Sequence, residues 1–444
     1  MLNQTAELAG ATPSGRTLPK SLWAATANPL AAQPELEGGH RFDVAIVGAG
    51  FTGLRTAIEL ALAGVRVAVL EAMEVGYGAS GRSGGQVNPI LRMTPDEVSA
   101  EIGHRNGERL VAATLASGND LFEDIRRFGI DCDPVQKGWL QVAHTAAAMS
   151  SLERLQKAWN AAGGEISVLD RNECREWSGS ADYVGGLFHP SAGHVQPLSL
   201  VRGFAQTALQ HGAKIFEHSA VTAISRAANN KWMVNTPRGS VIADKVVITT
   251  NAYTGDLWPK LKRTVMPLVS LQAATEPLSS AQRSQVLPRE ATIADTRRAI
   301  IYARYDRDGR LSIGCMGSYP DRPDALGGFS RLKSGTERIF PTLKGVEWQF
   351  KWGGRIAITP DFLPHLHEPA PGLLIGLGFN GRGVAMTSVM GRALGAKLLG
   401  ARDGDLPFPV SPIKAIPFHR ILAAILPVAT PLLAVADRLD RMKR

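Results

Sequence analysis

Four residues are spaced to do recognisable chemistry: Gly48, Gly50, Gly53 and Glu71. The glycines form G-x-G-x-x-G, and the acid follows eighteen residues after the last of them. An apolar β-type run, Val44 to Val47, leads into the glycines. Phe51 and Thr52 then open a helical pattern through Leu54, Ala57, Ile58, Leu60 and Ala61, and a second apolar run from Val65 to Leu70 ends at Glu71. Each piece suits a dinucleotide: a first glycine for the tight turn, a second for backbone approach to pyrophosphate, a third for close helix–sheet packing. The helix start offers free N–H groups to phosphate, and an acid at Glu71 can accept from ribose hydroxyls.

Other candidates are more dispersed. Ala79-Ser80-Gly81-Arg82-Ser83-Gly84-Gly85-Gln86 is a glycine-rich loop with little side-chain bulk, suited to lie against a flat ligand. His194 is a candidate pocket group able to exchange a proton near neutral pH. Tyr302 and Arg304 share a strand face by period-2 spacing, and Arg304 could pair with a carboxylate. His365 and His367 flank Leu366 beside Glu368, but no third ligand is placed, and no metal is expected. Cys132, Cys174 and Cys315 are far apart and outside any C-x-x-C, which argues against a disulfide framework or metal cluster and fits a reducing cytoplasm.

The elements that must position these groups read as a mixed α/β chain. At 444 residues, two domains are the natural expectation. Thr94-Pro95-Asp96-Glu97 starts a helical stretch over 95–128; Trp139–Ala143 is a strand, and 145–162 returns to helix before Gly163-Gly164. Leu198–Gln210 is helical, followed by strands at Ala213–Phe216 and Val221–Ile224. Trp232–Thr236 forms a hairpin with Val241–Ala243, and Lys245–Ala252 is a buried strand. Residues 263–345 alternate like an antiparallel sheet that roofs a ligand. Leu373–Gly378 is a strand that turns through Phe379-Asn380-Gly381-Arg382-Gly383-Val384 into a helix reaching Leu399.

The expected organisation is an N-terminal arm over 1–40 and a Rossmann-type nucleotide domain assembled from 41–94, 190–262 and 348–408. A substrate domain covers 95–189 and 263–347, and a C-terminal segment 409–444. Net charge is +9, but no block of five basic residues occurs and aromatic content is 6%, so nucleic acid is not an expected partner. No eighteen-residue apolar span and no secretory leader are seen. Ile421–Ala436, interrupted by Pro427 and Pro431 and followed by a basic end, reads as a packed C-terminal segment or, alternatively, a peripheral membrane contact.

The order of G-x-G-x-x-G with Glu71, then Gly212-Ala213 to Val247-Ile248, then G-F-N-G-R-G-V before a helix resembles the D-amino-acid oxidase superfamily of FAD enzymes. Ser21–Ala27, Ala79–Gln86 and Trp352–Thr359 are similar to its γ-glutamylputrescine oxidase-like group. The resemblance covers roughly residues 20–435. It implies FAD held by Gly48, Gly50, Phe51, Thr52, Gly53, Glu71, Ala79, Ser80, Gly81, Arg82, Gln86, Val221, Gly378, Gly381, Arg382, Gly383 and Val384. It implies oxidation of a C–N bond in an amine or amino acid by hydride transfer to flavin N5, with the imine then hydrolysed, and amides of Gly381–Val384 near the flavin O2 and N1 side.

Relatives attach flavin through a cysteine before T-P-D or a histidine after the Glu strand. Here these places hold Trp352-Gly353-Gly354-Arg355 and Tyr77–Arg82, which implies noncovalent FAD. Ala385 and Ser312 stand where sarcosine-oxidizing relatives carry lysines, which weakens a simple α-amino acid as substrate. Competing expectations are a membrane-associated dehydrogenase feeding quinone, an NADPH-dependent monooxygenase, for which no second G-x-G-x-x-G is seen, and a flavin-bearing subunit without turnover.

Overall fold

The computed structural model describes residues 17–429. Its first eight-stranded sheet runs His365–Ala370, Leu373–Leu377, Gly239–Ile248, Gly38–Val47, Val67–Leu70, Lys214–Phe216, with Trp232–Asn235 and Ala223–Arg226 branching from Gly239–Ile248. The strands around Gly38–Val47 are parallel, with Ile46 opposite both Val69 and Val247. Alternation explains why these runs are apolar throughout. Val44, Ile46, Val67 and Val69 enter one core, while Ala45, Val47, Ala68 and Leu70 enter another.

Two helices, Phe51–Leu62 and Gly383–Leu398, each follow a parallel strand of this sheet and pack on one another. Gly391 and Gly395 permit that approach: a Cβ at either would lie 2.6 Å from the Cβ of Arg55 or Glu59. Both helices therefore begin at the same carboxyl edge of the sheet, where this architecture binds ligands.

The second eight-stranded sheet runs Trp348–Ile358, Met266–Pro277, Arg310–Gly317, Tyr302–Tyr305, Thr292–Asp295, Trp139–Ala143, Gly185–His189, Ser167–Leu169. It is antiparallel except where Thr292–Asp295 runs parallel to Trp139–Ala143. Trp348–Ile358, grouped by sequence with the nucleotide domain, pairs along its length with Met266–Pro277 and is an edge strand of this second sheet. Its place between nucleotide-domain stretches in sequence gives no sign of this; pairing assigns it.

Local differences have simple causes. The helical stretch after Thr94 is two helices, Pro95–Ile102 and His104–Arg127, because Gly103 sits at φ +83°. Thr94 and Glu97 close a capping box at the expected start. Val241–Ala243 and Lys245–Ile248 are one continuous strand, and the short strand near Val221 begins at Ala223.

The arm is not a free extension over its described part: Leu22–Thr26 is a helix capped by Ser21, with Leu22 and Trp23 fully buried. At the other end, residues 419–429 are helical, and Phe418, Ile421, Leu422, Ile425 and Val428 are exposed, so these side chains are not covered by the other described residues. The remainder of the Ile421–Ala436 segment lies outside the described residues.

Candidate active site

Gly48 takes φ +105° at the end of its strand, a backbone state that favours glycine. Gly53 is held by sterics: a Cβ there would lie 2.1 Å from the Gly48 carbonyl oxygen and 2.7 Å from Thr249 Oγ1. Gly50 differs, because a Cβ there would meet only the Ser80 hydroxyl, at 2.9 Å. The glycine at 53 thus serves the fold, and the glycine at 50 keeps the approach to the helix start open. Gly50 caps Phe51–Leu62 without a side chain, and Arg382 caps Gly383–Leu398 without a side-chain bond. First-turn N–H groups of both helices lack intrahelical acceptors at one sheet edge.

Glu71 closes the turn from behind. Its Oε2 accepts from Ala49 N at 2.8 Å and its Oε1 from Met73 N at 3.1 Å. Burial raises its carboxyl above the ordinary range, opposed by those N–H groups. The carboxylate is fixed in place and keeps lone pairs for hydroxyl donors. Phe51 and Thr52 are buried, Phe51 edge-on to Phe204 at 6.3 Å. Val221 is half-buried at the rim of the second core of this sheet.

The loop Ala79–Gln86 links the two sheets. Ser80 Oγ accepts from Phe51 N at 3.0 Å. Gly81 leaves no room for a Cβ, which would fall 2.3 Å from the Gly76 oxygen. Arg82, buried, donates from Nε to the Tyr77 carbonyl and from Nη1 to the Gly353 carbonyl. The Arg82 carbonyl in turn accepts from Gln272 Nε2 at 2.6 Å and Trp352 Nε1 at 3.0 Å. Gln86 Nε2 donates to Ile293 O and Ala303 O, both on the second sheet.

Tyr302 and Arg304 share a face, and that face meets this loop. The Tyr302 ring lies against Gly84 and Gly314, and its hydroxyl bonds Ser270 Oγ. Arg304 donates to Gly84 O from Nε, Val195 O from Nη2 and Tyr305 O from Nη1, and its guanidinium lies 4.2 Å from the Trp23 ring centroid. The carboxylate partner expected from sequence is replaced by backbone carbonyls, so Arg304 is a strut beneath the loop. His194 sits behind it: Gln86 pairs with His194, whose Nδ1 is 3.5 Å from Arg304 Nη1. Burial and then Arg304 hold His194 far below the usual histidine range, so it is neutral.

The turn after Leu373–Leu377 is stitched by asparagines. Gly378, at φ +85°, donates to Asn251 Oδ1, while Asn380, at φ +53°, accepts from Thr359 N and donates to Gly378 O. Gly381, at φ +79°, has no atom near a built Cβ. Arg382 Nε donates to Ile90 O at 3.0 Å. Ala385 is fully buried in the helix packing, and Ser312 is buried opposite Arg304.

Trp23, Gln272, Trp352, Asn251 and Asn380 were not singled out from sequence. Trp23, Trp352 and Asn380 lie within motifs that were; Gln272 and Asn251 carry no local signal.

Cys315 faces the apolar core on the far side of the second sheet, beside Leu271 and Ile313, and burial pushes its thiol up to about 12. His365 pairs with Asp361, and His367 Nδ1 bonds Ser411 O. Among the described residues, no three metal-binding side chains gather. Nor is any helix of those residues long and apolar enough to cross a membrane.

A turn with uncapped helix starts, a fixed acid, a glycine loop and an orphaned Gln272 Oε1 beside Gly84 fit an extended dinucleotide running from the first sheet to the second. The family model described as "FAD dependent oxidoreductase" (DAO) matches residues 43–397, and the chain belongs to that family. It is an FAD-dependent oxidoreductase, of the group that includes γ-glutamylputrescine oxidoreductase.

The γ-glutamylputrescine oxidoreductase of Escherichia coli (strain K12) is 32% identical over 418 residues, 91% of this chain and 96% of that protein. A probable oxidoreductase OrdL of Haemophilus influenzae is 33% identical over 374 residues, 83% of this chain and 85% of its own length. Among solved structures, glycine oxidase from Geobacillus kaustophilus superposes with a TM-score of 0.71 at 24% identity, covering 85% of this chain and 99% of that one, a likeness of fold.

Proposed function

We propose that this enzyme oxidises a C–N bond of an amine or amino-acid derivative, and that an amine bearing a distant carboxylate, of the γ-glutamylputrescine type, is its substrate. The observation that carries this reading is the polar inner face of the second sheet, which meets the glycine loop. The relative that shares 96% of its length with this chain supports the substrate class. FAD, when bound, supplies the hydride acceptor.

The chain's own contributions follow from its geometry. Gly48, Gly50 and the first turn of Phe51–Leu62 offer backbone to the pyrophosphate, and Glu71 accepts from ribose. Amides of Gly383 and Val384 favour negative charge at the ring end, the logic of an oxyanion hole. His194 is neutral, and the Tyr302 hydroxyl is bonded to Ser270 with its acidity suppressed by burial. Neither is poised as a strong base, so the site suits an amine that enters uncharged. Ala385 and Ser312 provide no cationic anchor next to the reacting carbon, which disfavours simple α-amino acids. FAD is held without a covalent bond, since Cys315 faces away from the loop; acid precipitation should leave the yellow colour in the supernatant, and colour in the washed pellet contradicts this.

Anaerobic mixing with polyamines, N-methyl amino acids and D-amino acids tests the reaction. Bleaching of the flavin by an amine without NADPH is expected. Bleaching by NADPH alone, with every amine inert, would replace this reading with a monooxygenase. The exposed row Phe418, Ile421, Ile425 and Val428 favours a second reading, a peripheral dehydrogenase that passes electrons to quinone. Flotation with anionic vesicles, lost on truncation after Pro417, distinguishes it from a soluble cytoplasmic oxidase.

A further inference from the structure

At the seam between the last helix of the first sheet and the inner face of the second lies a cationic site with no counter-charge. Arg382 uses Nε on Ile90 O, and among the described residues no ion pair or further hydrogen bond is seen at its terminal nitrogens. Its guanidinium lies 5.2 Å from the centroid of Trp139. Arg92 is the charged group that Arg382 senses, and it too has no acidic partner among the described residues. Arg92 is exposed to solvent, whereas the half-buried Arg382 keeps terminal nitrogens that an anion could engage.

The surroundings point to a ligand independently. Trp139 and His189 are register partners on adjacent strands, their rings stacked at 4.5 Å, and they are 1% and 2% exposed. Trp139 Nε1 and His189 Nε2 are buried without a hydrogen-bond partner. Asn88 Oδ1, on the segment between Gln86 and Ile90, and Gln141 Oε1, next on the Trp139 face, are also unpartnered. Native interiors leave few such groups, and two of them, on the stacked Trp139–His189 pair beside Arg382, call for a common explanation.

We infer that the terminal nitrogens of Arg382, with Trp139 Nε1–H and His189 Nε2–H, form the seat of the substrate's distant carboxylate, while Asn88 Oδ1 and Gln141 Oε1 accept from N–H groups beside it. The side chain of Arg382 then reads substrate while the backbone of the same turn faces the cofactor. Burial, reinforced by Arg382, keeps His189 down at about 3, so it enters as a neutral ring able to donate from one nitrogen. The inference rests on the proposed amine reading for the identity of the ligand, but not for the existence of the anion seat.

The test compares γ-glutamylputrescine with putrescine, which lacks the carboxylate, and titrates glutarate as an unreactive ligand followed by the flavin absorbance difference. Arg382→Gln should raise KM for γ-glutamylputrescine about 30-fold or more beyond any rise for putrescine, and weaken glutarate similarly. Arg382→Lys should recover part of the loss, and Trp139→Phe, which keeps the ring but removes the donor, should weaken glutarate by about tenfold.

Equal losses for both amines, unchanged glutarate affinity in Arg382→Gln, or no glutarate binding to the wild-type holoenzyme overturns the seat. If wild-type flavin is reduced by no amine, the substrate reading fails, and the glutarate titration alone judges the seat. If Arg382→Gln loses flavin, Trp139→Phe decides: unchanged glutarate affinity there overturns it.

Discussion

The two eight-stranded sheets handle polar groups in opposite ways. In the parallel sheet both faces are apolar: alternate residues of Val44–Val47 and Val67–Leu70 feed two cores. In the second sheet one face is a purely apolar core, and the other mixes apolar residues such as Ala143, Leu187, Ala274 and Ala294 with polar ones. Leu140, Val142, Ile293, Ala303, Leu311, Ile313 and Cys315 fill the apolar core, while the mixed face carries Trp139, Gln141, Gln272, Thr292, Tyr302 and Arg304. Of these, Trp139, Gln141, Gln272 and Thr292 have buried polar atoms without partners, whereas Tyr302 and Arg304 are fully engaged. A parallel sheet packed on both sides can bring function only to its edge, through turns and helix starts. A sheet with one partly polar face can be the wall of a site, at the cost of leaving groups that a ligand must satisfy.

The contrast is sharpest between Gly53 and Gly50. Gly53→Ala should cost about 3 kcal/mol or more, because its Cβ would strike the Gly48 carbonyl and the sheet behind it; a large fall in thermal midpoint together with flavin loss is expected. Gly50→Val should instead yield a folded apoprotein whose midpoint matches that of wild-type apoprotein. If the two variants behave alike, the separation of fold from ligand within the turn is wrong.

Arg304→Met removes donors from Gly84 O, Val195 O and Tyr305 O, and the loss should be about 3 kcal/mol of stability with reduced flavin retention. Normal stability with a selective rise in KM for carboxylate-bearing amines would restore Arg304 as a substrate anchor.

The second sheet and its flank should also respond to pH. His189 and His194 have folded values depressed below the unfolded value of about 6.5, so folding holds fewer protons. Their stabilising contribution is complete above that value and is lost as pH falls, about 2 kcal/mol for each by pH 5. Thermal midpoints should be flat from pH 8 to 7 and decline below, with a shallower decline in His189→Gln; an unaltered slope in that variant assigns the decline elsewhere.

The smallest effect is expected at Glu71. Glu71→Ala should weaken FAD by about tenfold, roughly 1.4 kcal/mol, with little change in fold. An unaltered affinity would mean that the acid serves only Ala49 and Met73.

The amino-acid sequence by itself determined the nucleotide half. Strand, glycine turn, helix and acid are contiguous, and their physics is local: a positive φ at Gly48, a helix start at Gly50, a period that says strand or helix. Periodicity could also place Tyr302 and Arg304 on one face, because adjacent positions of a strand alternate whatever the sheet does. It could not say what that face meets. Arg304 found carbonyls from Gly84 and Val195, more than a hundred residues away, and Trp352 and Trp23 closed over the same loop from opposite ends of the chain. Trp139, His189 and Arg382 gave no shared signal in sequence, since their meeting depends on a strand order in which residues 139–143 lie between 292–295 and 185–189. Local torsion and hydrophobic period are written residue by residue; which polar groups are left without partners is decided only when distant strands are brought side by side.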